Sequence, residues 1–272
     1  MSAGIDYEAE YNNRARVPEH PALIAGWARD AAAYRERTAP RSMSYGPGAR
    51  HTIDFFPGGH DGPIVVFIHG GYWQALDGSF FSHLAAGLNA HGIGVAIPGY
   101  DLCPNVTIDD IIRQMRTMTR ALARPGKSLV ISGHSAGGHL AACMLATDWP
   151  AFDASLPPDL VSAAYCISGL FDLAPLVETS INNALHLDPT TARAASPLFW
   201  PAPLHGRLDA VVGENESAEY FRQSRTIVER WGRAGITTRF GTVPDANHFT
   251  AIAPLADPRS PMVLRLTELA GR

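Results

Sequence analysis

Five short stretches of the chain are apolar almost throughout: IVVFI at 64–68, GVAIP at 94–98, SLVIS at 128–132, AAYCIS at 163–168 and LDAVVG at 208–213. A strand with one wetted face alternates apolar and polar residues, whereas a strand covered on both faces does not. These runs therefore predict the inner strands of a parallel sheet. Between them the period changes to that of a helix, at 79–91, 136–147, 217–234 and most clearly at 106–124, where Ile108, Ile111, Ile112, Met115 and Met118 recur on one face. Strand and helix alternate, which means βαβ units.

The flanks complete the pattern. TTRFGTV at 237–243 predicts another strand, and 258–271 a closing helix after Pro254 and Pro258. Ahead of the core, 22–37 reads as a separate helix and HTIDFF at 51–56 as a strand near the sheet edge, so the sheet is expected to be mixed there. Residues 171–206, rich in Pro, Leu and Asn, follow neither period. They are expected to form a small cap, together with the N-terminal helical region 18–38, on one domain spanning 1–272. Loops at the carboxyl ends of parallel strands are where such sheets bind ligands, so a cap there would shape a pocket.

Composition narrows the function classes. Of 272 residues, 46% are hydrophobic and 18% charged, which fits a large buried core and not a disordered chain. A net charge of −4 with scattered Lys and Arg gives no field for a nucleic-acid backbone. No run approaches the roughly 18 apolar residues of a membrane span, and the acidic start with Asp6, Glu8 and Glu10 does not read as a secretory signal. Cys103, Cys143 and Cys166 are too few and too dispersed for a disulfide framework or a CxxC metal site. Reduced thiols in a cytoplasmic protein are expected, with no cofactor and no metal; a homodimer is admitted.

One stretch carries chemistry. Gly133-His134-Ser135-Ala136-Gly137 is a G-x-S-x-G motif between a predicted strand and a predicted helix. A serine lifted clear of a sheet at such a corner needs a strained backbone, and the flanking glycines remove the side chains that would collide. The helix that starts there offers free N–H groups and its positive end to developing negative charge. A hydroxyl is still a poor nucleophile without a base and an oxyanion hole. HGGYW at 69–73, straight after a strand, supplies backbone for the hole, which we expect from the N–H groups of Gly71, Tyr72 and Ala136, with His69 bracing the loop. Enzymes built on this elbow run Ser, acid, His along the chain, which makes His248 the expected base. His186 and His205 precede the acid, and His139 falls one helical turn past Ser135, where packing is expected. For the acid, Glu214 and Glu216 follow the 208–213 strand, at the strand end where one carboxylate could hold the imidazole. Glu216 is chosen, with Asp172 as competitor; Glu214 and Asp245 are read as solvated or capping groups.

Taken together, EYNNRARVP, HGGYWQ, GYDLCP, GHSAGGHLAA, SGLFDL, GENESAEYFRQS and NHF resemble the α/β-hydrolase superfamily, specifically the branch of arylformamidases (kynurenine formamidases) and related carboxylesterases. The resemblance spans most of the chain. It implies the α/β-hydrolase fold, a mostly parallel central sheet flanked by helices with a small cap. In that branch the acid immediately precedes a Ser-x-Glu-Tyr/Phe stretch, which implies Glu216, although Asp is frequent there and Glu has a longer arm. Tyr72 stands where lipase-like relatives carry a third glycine, so that its ring would line the pocket.

The expectation is a serine carboxylesterase that cleaves small soluble esters through an acyl-serine. The rival is an arylformamidase that hydrolyses N-formylkynurenine, and a third reading is a hydrolase-like binding protein without catalysis. Trp73, Phe80, His186 and Trp200 are expected to contact the small-molecule ester or formamide. The segment 171–206 is too short for the lid of an interfacial lipase. No HExxH or compact His/Asp cluster supports metal-dependent hydrolysis.

Overall fold

The computed structural model describes residues 4–59 and 62–271. Eight strands form one sheet: β1 Arg41–Ser44, β2 Thr52–Phe56, β3 Ile64–Ile68, β4 Gly94–Pro98, β5 Leu129–His134, β6 Val161–Ile167, β7 Arg207–Gly213 and β8 Thr237–Val243. Their order is β1-β2-β4-β3-β5-β6-β7-β8. The β1–β2 and β2–β4 pairs are antiparallel and every later pair is parallel, so the sheet is mixed at the N-terminal edge, as the sequence implied.

The continuous apolar runs are explained by burial on both faces. In β3, Ile64, Val66 and Ile68 enter one core while Val65 and Phe67 enter the other, and in β5 Leu129 and Ile131 are separated from Val130 in the same way. On the first face pack the helices Ile108–Ala121, Ala136–Leu145 and Ala218–Arg233. The second face is covered by His20–Arg37, Ala85–Asn89 and Pro261–Leu269. The Ile108–Ala121 helix starts on a capping box between Thr107 and Asp110, and its Ile and Met stripe is buried.

Four elements differ from expectation. The helix expected over 79–91 divides into a 3-10 turn, Gly78–Leu84, and a short α-helix, Ala85–Asn89. Here Gly87 presses on the chain at Leu255, where a Cβ would meet the carbonyl oxygen at 2.3 Å, so packing fixes the path rather than propensity. β1 carried no signal because all four of its residues are exposed. Two short N-terminal helices, Tyr7–Tyr11 and Asn13–Arg16, likewise had none, being too short for a period to emerge. Residues 171–206 hold only short helical turns, and their Phe171, Leu173, Leu176 and Leu198 are buried in the first core.

Candidate active site

At the end of β5 the chain turns at Ser135 with φ 56 and ψ −117, then enters the Ala136–Leu145 helix. The turn is possible because two backbones touch. A Cβ on Gly133 would lie 2.2 Å from the Gly137 carbonyl oxygen, and one on Gly137 would lie 1.9 Å from that of Ile68. Neither contact tolerates a side chain. The Ser135 N–H continues the sheet by donating to Ile167 O at 2.8 Å, which fixes the corner.

After β3, the loop runs through His69, Gly70, Gly71, Tyr72 and Trp73, with Gly71, Tyr72 and Trp73 all at positive φ (108, 50 and 57). Among the described residues the N–H groups of Gly71 and Tyr72 donate to nothing in the protein. Ala136 is the first residue of its helix, where an N–H has no intrahelical acceptor. His69 is fully buried, stacks on Tyr100 at 4.3 Å and places Nδ1 2.7 Å from Gly70 O, which braces the loop from below.

His248 follows β8 and Glu216 follows β7. The imidazole Nδ1 lies 2.7 Å from Glu216 Oε2. The other carboxylate oxygen accepts from Ser168 Oγ at 2.5 Å and from Gly213 N–H at 2.7 Å. Three donors thus satisfy a carboxylate that is almost wholly buried, and a carboxylate on Nδ1 leaves Nε2 as the nitrogen free to take a proton. The competitors are elsewhere: Asp172 faces Arg222 at 3.7 Å, and Glu214, exposed, accepts from the Asp245 N–H.

Ser135, His248, Gly71 and Tyr72 share one cavity of about 390 Å³, whose wall also includes Tyr11, Trp27, Ile181 and Phe249. No hydrogen bond joins Ser135 Oγ to His248 among the described residues. The expected contact residues Trp73, Phe80, His186 and Trp200 are not in this wall. Trp73 is fully buried against the edge of His139; Phe80 packs into the second core; His186 is exposed. Trp200 lines a separate surface groove, its Nε1–H donating to Ala194 O and its ring under Arg116. The wall draws its rings instead from the N-terminal helices, as Tyr11 and Trp27, and from Tyr72 and Phe249 in the loops after β3 and β8.

Four residues that carry the site had no role assigned from sequence. His134 donates from Nε2 to the His248 carbonyl at 2.8 Å and packs on its ring at 4.7 Å. Burial, with repulsion from His248 added, holds the His134 imidazole well below the usual histidine range, so it stays neutral. Ser168 supports Glu216. Tyr220 also packs on His248 at 4.7 Å, and with Asn13 forms a hydrogen-bonded group on the Tyr72 hydroxyl. Burial raises the Tyr72 and Tyr220 phenols above their usual range, so both remain protonated. His134 occupies the x of G-x-S, and Asn13, Ser168 and Tyr220 each lie in one of the motifs that carry the resemblance (EYNNRARVP, SGLFDL and GENESAEYFRQS), but what each one touches is decided only in space.

A family described as "Alpha/beta hydrolase family" matches residues 65–269. A kynurenine formamidase from Danio rerio is 30% identical over 220 residues, 78% of this chain and 74% of the relative. One from Salmo salar is 30% identical over 243 residues, 85% and 82% respectively. A solved structure from Silicibacter sp. TM1040, described as a candidate thioesterase, superposes with a TM-score of 0.86 at 35% identity, covering 97% of this chain and 100% of that one.

Proposed function

Since the chain belongs to the alpha/beta hydrolase family, with kynurenine formamidases among its relatives, we propose that it is a serine hydrolase that removes a formyl or other short acyl group from a small aromatic molecule. The observation that carries the reading is the 2.7 Å contact of Glu216 with Nδ1 of His248, whose ring lines the cavity that also holds Ser135 on its strained corner. In this mechanism, substrate binding brings Ser135 Oγ–H onto His248 Nε2, a contact that often tightens only in the complex. Nε2 takes the proton as Oγ attacks the carbonyl carbon, and the Gly71, Tyr72 and Ala136 N–H groups receive the oxyanion. Collapse expels the amine or alcohol, which leaves with the proton from His248. Water then repeats the cycle on the acyl-serine and releases the acid. Glu216 holds the imidazole and stabilises its charged form throughout.

Formamide stands first because the two 30% identical relatives, from Danio rerio and Salmo salar, carry that name, which reverses the order expected from sequence; the rings of Tyr11, Trp27 and Phe249 give the cavity an aromatic wall suited to an aryl leaving group. Small esters are the second reading, favoured by the 35% identical structure described as a candidate thioesterase. The deciding measurement compares kcat/KM for N-formylkynurenine with that for p-nitrophenyl acetate. The expected result is a preference of at least tenfold for the formamide, and the reverse preference would make the chain an esterase first. Ser135→Ala should abolish both, leaving a folded protein that a fluorophosphonate probe no longer labels; wild-type turnover by this variant would end the serine mechanism. We also place this activity in the cytoplasm, a reading supported by three buried free cysteines. No helix among the described residues is long and apolar enough to cross a membrane.

A further inference from the structure

The Tyr72 hydroxyl donates to the Tyr11 carbonyl at 2.7 Å, and a phenol has a single hydrogen. The 2.7 Å contact between the Tyr72 and Tyr220 hydroxyls is therefore donated by Tyr220, whose oxygen accepts from Asn13 Nδ2 at 2.8 Å. One direction satisfies every member: Asn13 to Tyr220, Tyr220 to Tyr72, Tyr72 to the Tyr11 carbonyl. The chain of bonds starts and ends in the N-terminal segment and passes through the loop whose amides face the nucleophile's cavity.

That loop is strained. Tyr72 and Trp73 lie at φ 50 and 57, a region that side chains other than glycine rarely adopt and that persists only where surroundings impose it. Trp73 is imposed by burial, being fully enclosed. Tyr72 is partly exposed to the cavity, and its anchor is the hydroxyl end of its ring. The N-terminal segment can serve as an anchor because it is itself fastened. Tyr11 Oη donates to Glu219 and accepts from Gln223, Glu10 accepts from the Glu219 N–H, and Glu8 accepts from the Ser180 N–H and hydroxyl.

We propose that residues 11–13 are a positioning element for the oxyanion hole, acting through the Tyr72 hydroxyl and its partner Tyr220 to hold the Gly71 and Tyr72 amides in place before substrate arrives. The proposal rests on the serine hydrolase reading above. It assigns catalytic consequence to a segment outside the sheet, the elbow and the acid–base pair.

Tyr72→Phe removes the hydroxyl and keeps ring and backbone. A preorganised hole acts on the transition state more than on bound substrate, so kcat should fall about tenfold or more while KM stays within about threefold. The inhibition constant of an aryl trifluoromethyl ketone, which forms a tetrahedral adduct on serine, should rise by the same factor as kcat falls. Asn13→Ala should shift both quantities in the same direction by less, and the double variant should be no worse than Tyr72→Phe alone, as expected of groups in one network. A Tyr72→Phe enzyme with kcat within twofold of wild type, or a loss confined to KM, would overturn the proposal. Should Tyr72→Phe fail to fold, Asn13→Ala is judged by the same split. Fluorophosphonate labelling of wild type separates the failures: labelled wild type beside an unaffected Tyr72→Phe removes only this proposal, while unlabelled wild type removes the reading beneath it.

Discussion

Glu216 shows what one residue's surroundings decide. Glu214 and Glu216 are chemically identical and two positions apart, yet only Glu216 turns inward, where Ser168, Gly213 and His248 donate to it. Sequence could rank the pair through the family resemblance, but could not supply the three donors, nor the turn after β7 in which the Glu216 N–H donates to Gly213 O. Glu216→Gln keeps the shape and places an amide where a carboxylate accepted from Nδ1, so the wrong tautomer is favoured. By analogy with the triad aspartate, kcat should fall by about 10⁴-fold with the fold intact. A stopped assay on short-chain esters, with circular dichroism as control, checks this; a loss under tenfold would mean that Glu216 does not orient His248.

Among elements, the elbow was legible because its constraints are local and steric. A strand, a corner and a helix must follow one another within a few residues, and the glycines are demanded by backbone contact. Gly137→Ala forces a Cβ to within 1.9 Å of the Ile68 carbonyl oxygen, a backbone atom that cannot step aside, so we expect a loss of about 3 kcal/mol or more and little soluble protein. Gly26, inside the His20–Arg37 helix, is the contrast: its nearest neighbour is the end of the Arg29 side chain at 3.7 Å. Gly26→Ala should stabilise by roughly 0.5–1 kcal/mol through helix propensity. Paired urea melts test both, and equal effects from the two substitutions would refute the steric account. The elements that sequence missed, β1 and the two short N-terminal helices, are those held by tertiary contacts and not by a period of their own.

Across the whole molecule, the same burial that builds the site sets its response to acid. His69 and His139 are enclosed on the first turns after β3 and β5, and burial lowers both to about 4. In the unfolded chain they titrate near 6.5. Above that pH both states are neutral and the histidines contribute nothing to the pH dependence. As pH falls from about 6.5 toward 4 the unfolded chain binds protons that the folded one refuses, so stability drops. By pH 5 each histidine costs about 2 kcal/mol. His134, held well below the usual range, acts in the same direction. The urea midpoint should therefore fall between pH 7 and pH 5, less steeply in His139→Gln; a flat midpoint would show that these imidazoles are protonated without unfolding. What the sequence determined by itself was the parallel core, the strand–turn–helix corner at Ser135 and the glycine loop, because each is written as a short-range pattern of burial or backbone clearance. Tertiary structure alone decided which rings line the cavity at Ser135 and which groups bond to the Tyr72 hydroxyl. Residues 11–13, Tyr72, His134, Ser168 and Tyr220 come from distant parts of the chain, and only the packing of the N-terminal helices over the sheet brings their hydrogen bonds within reach.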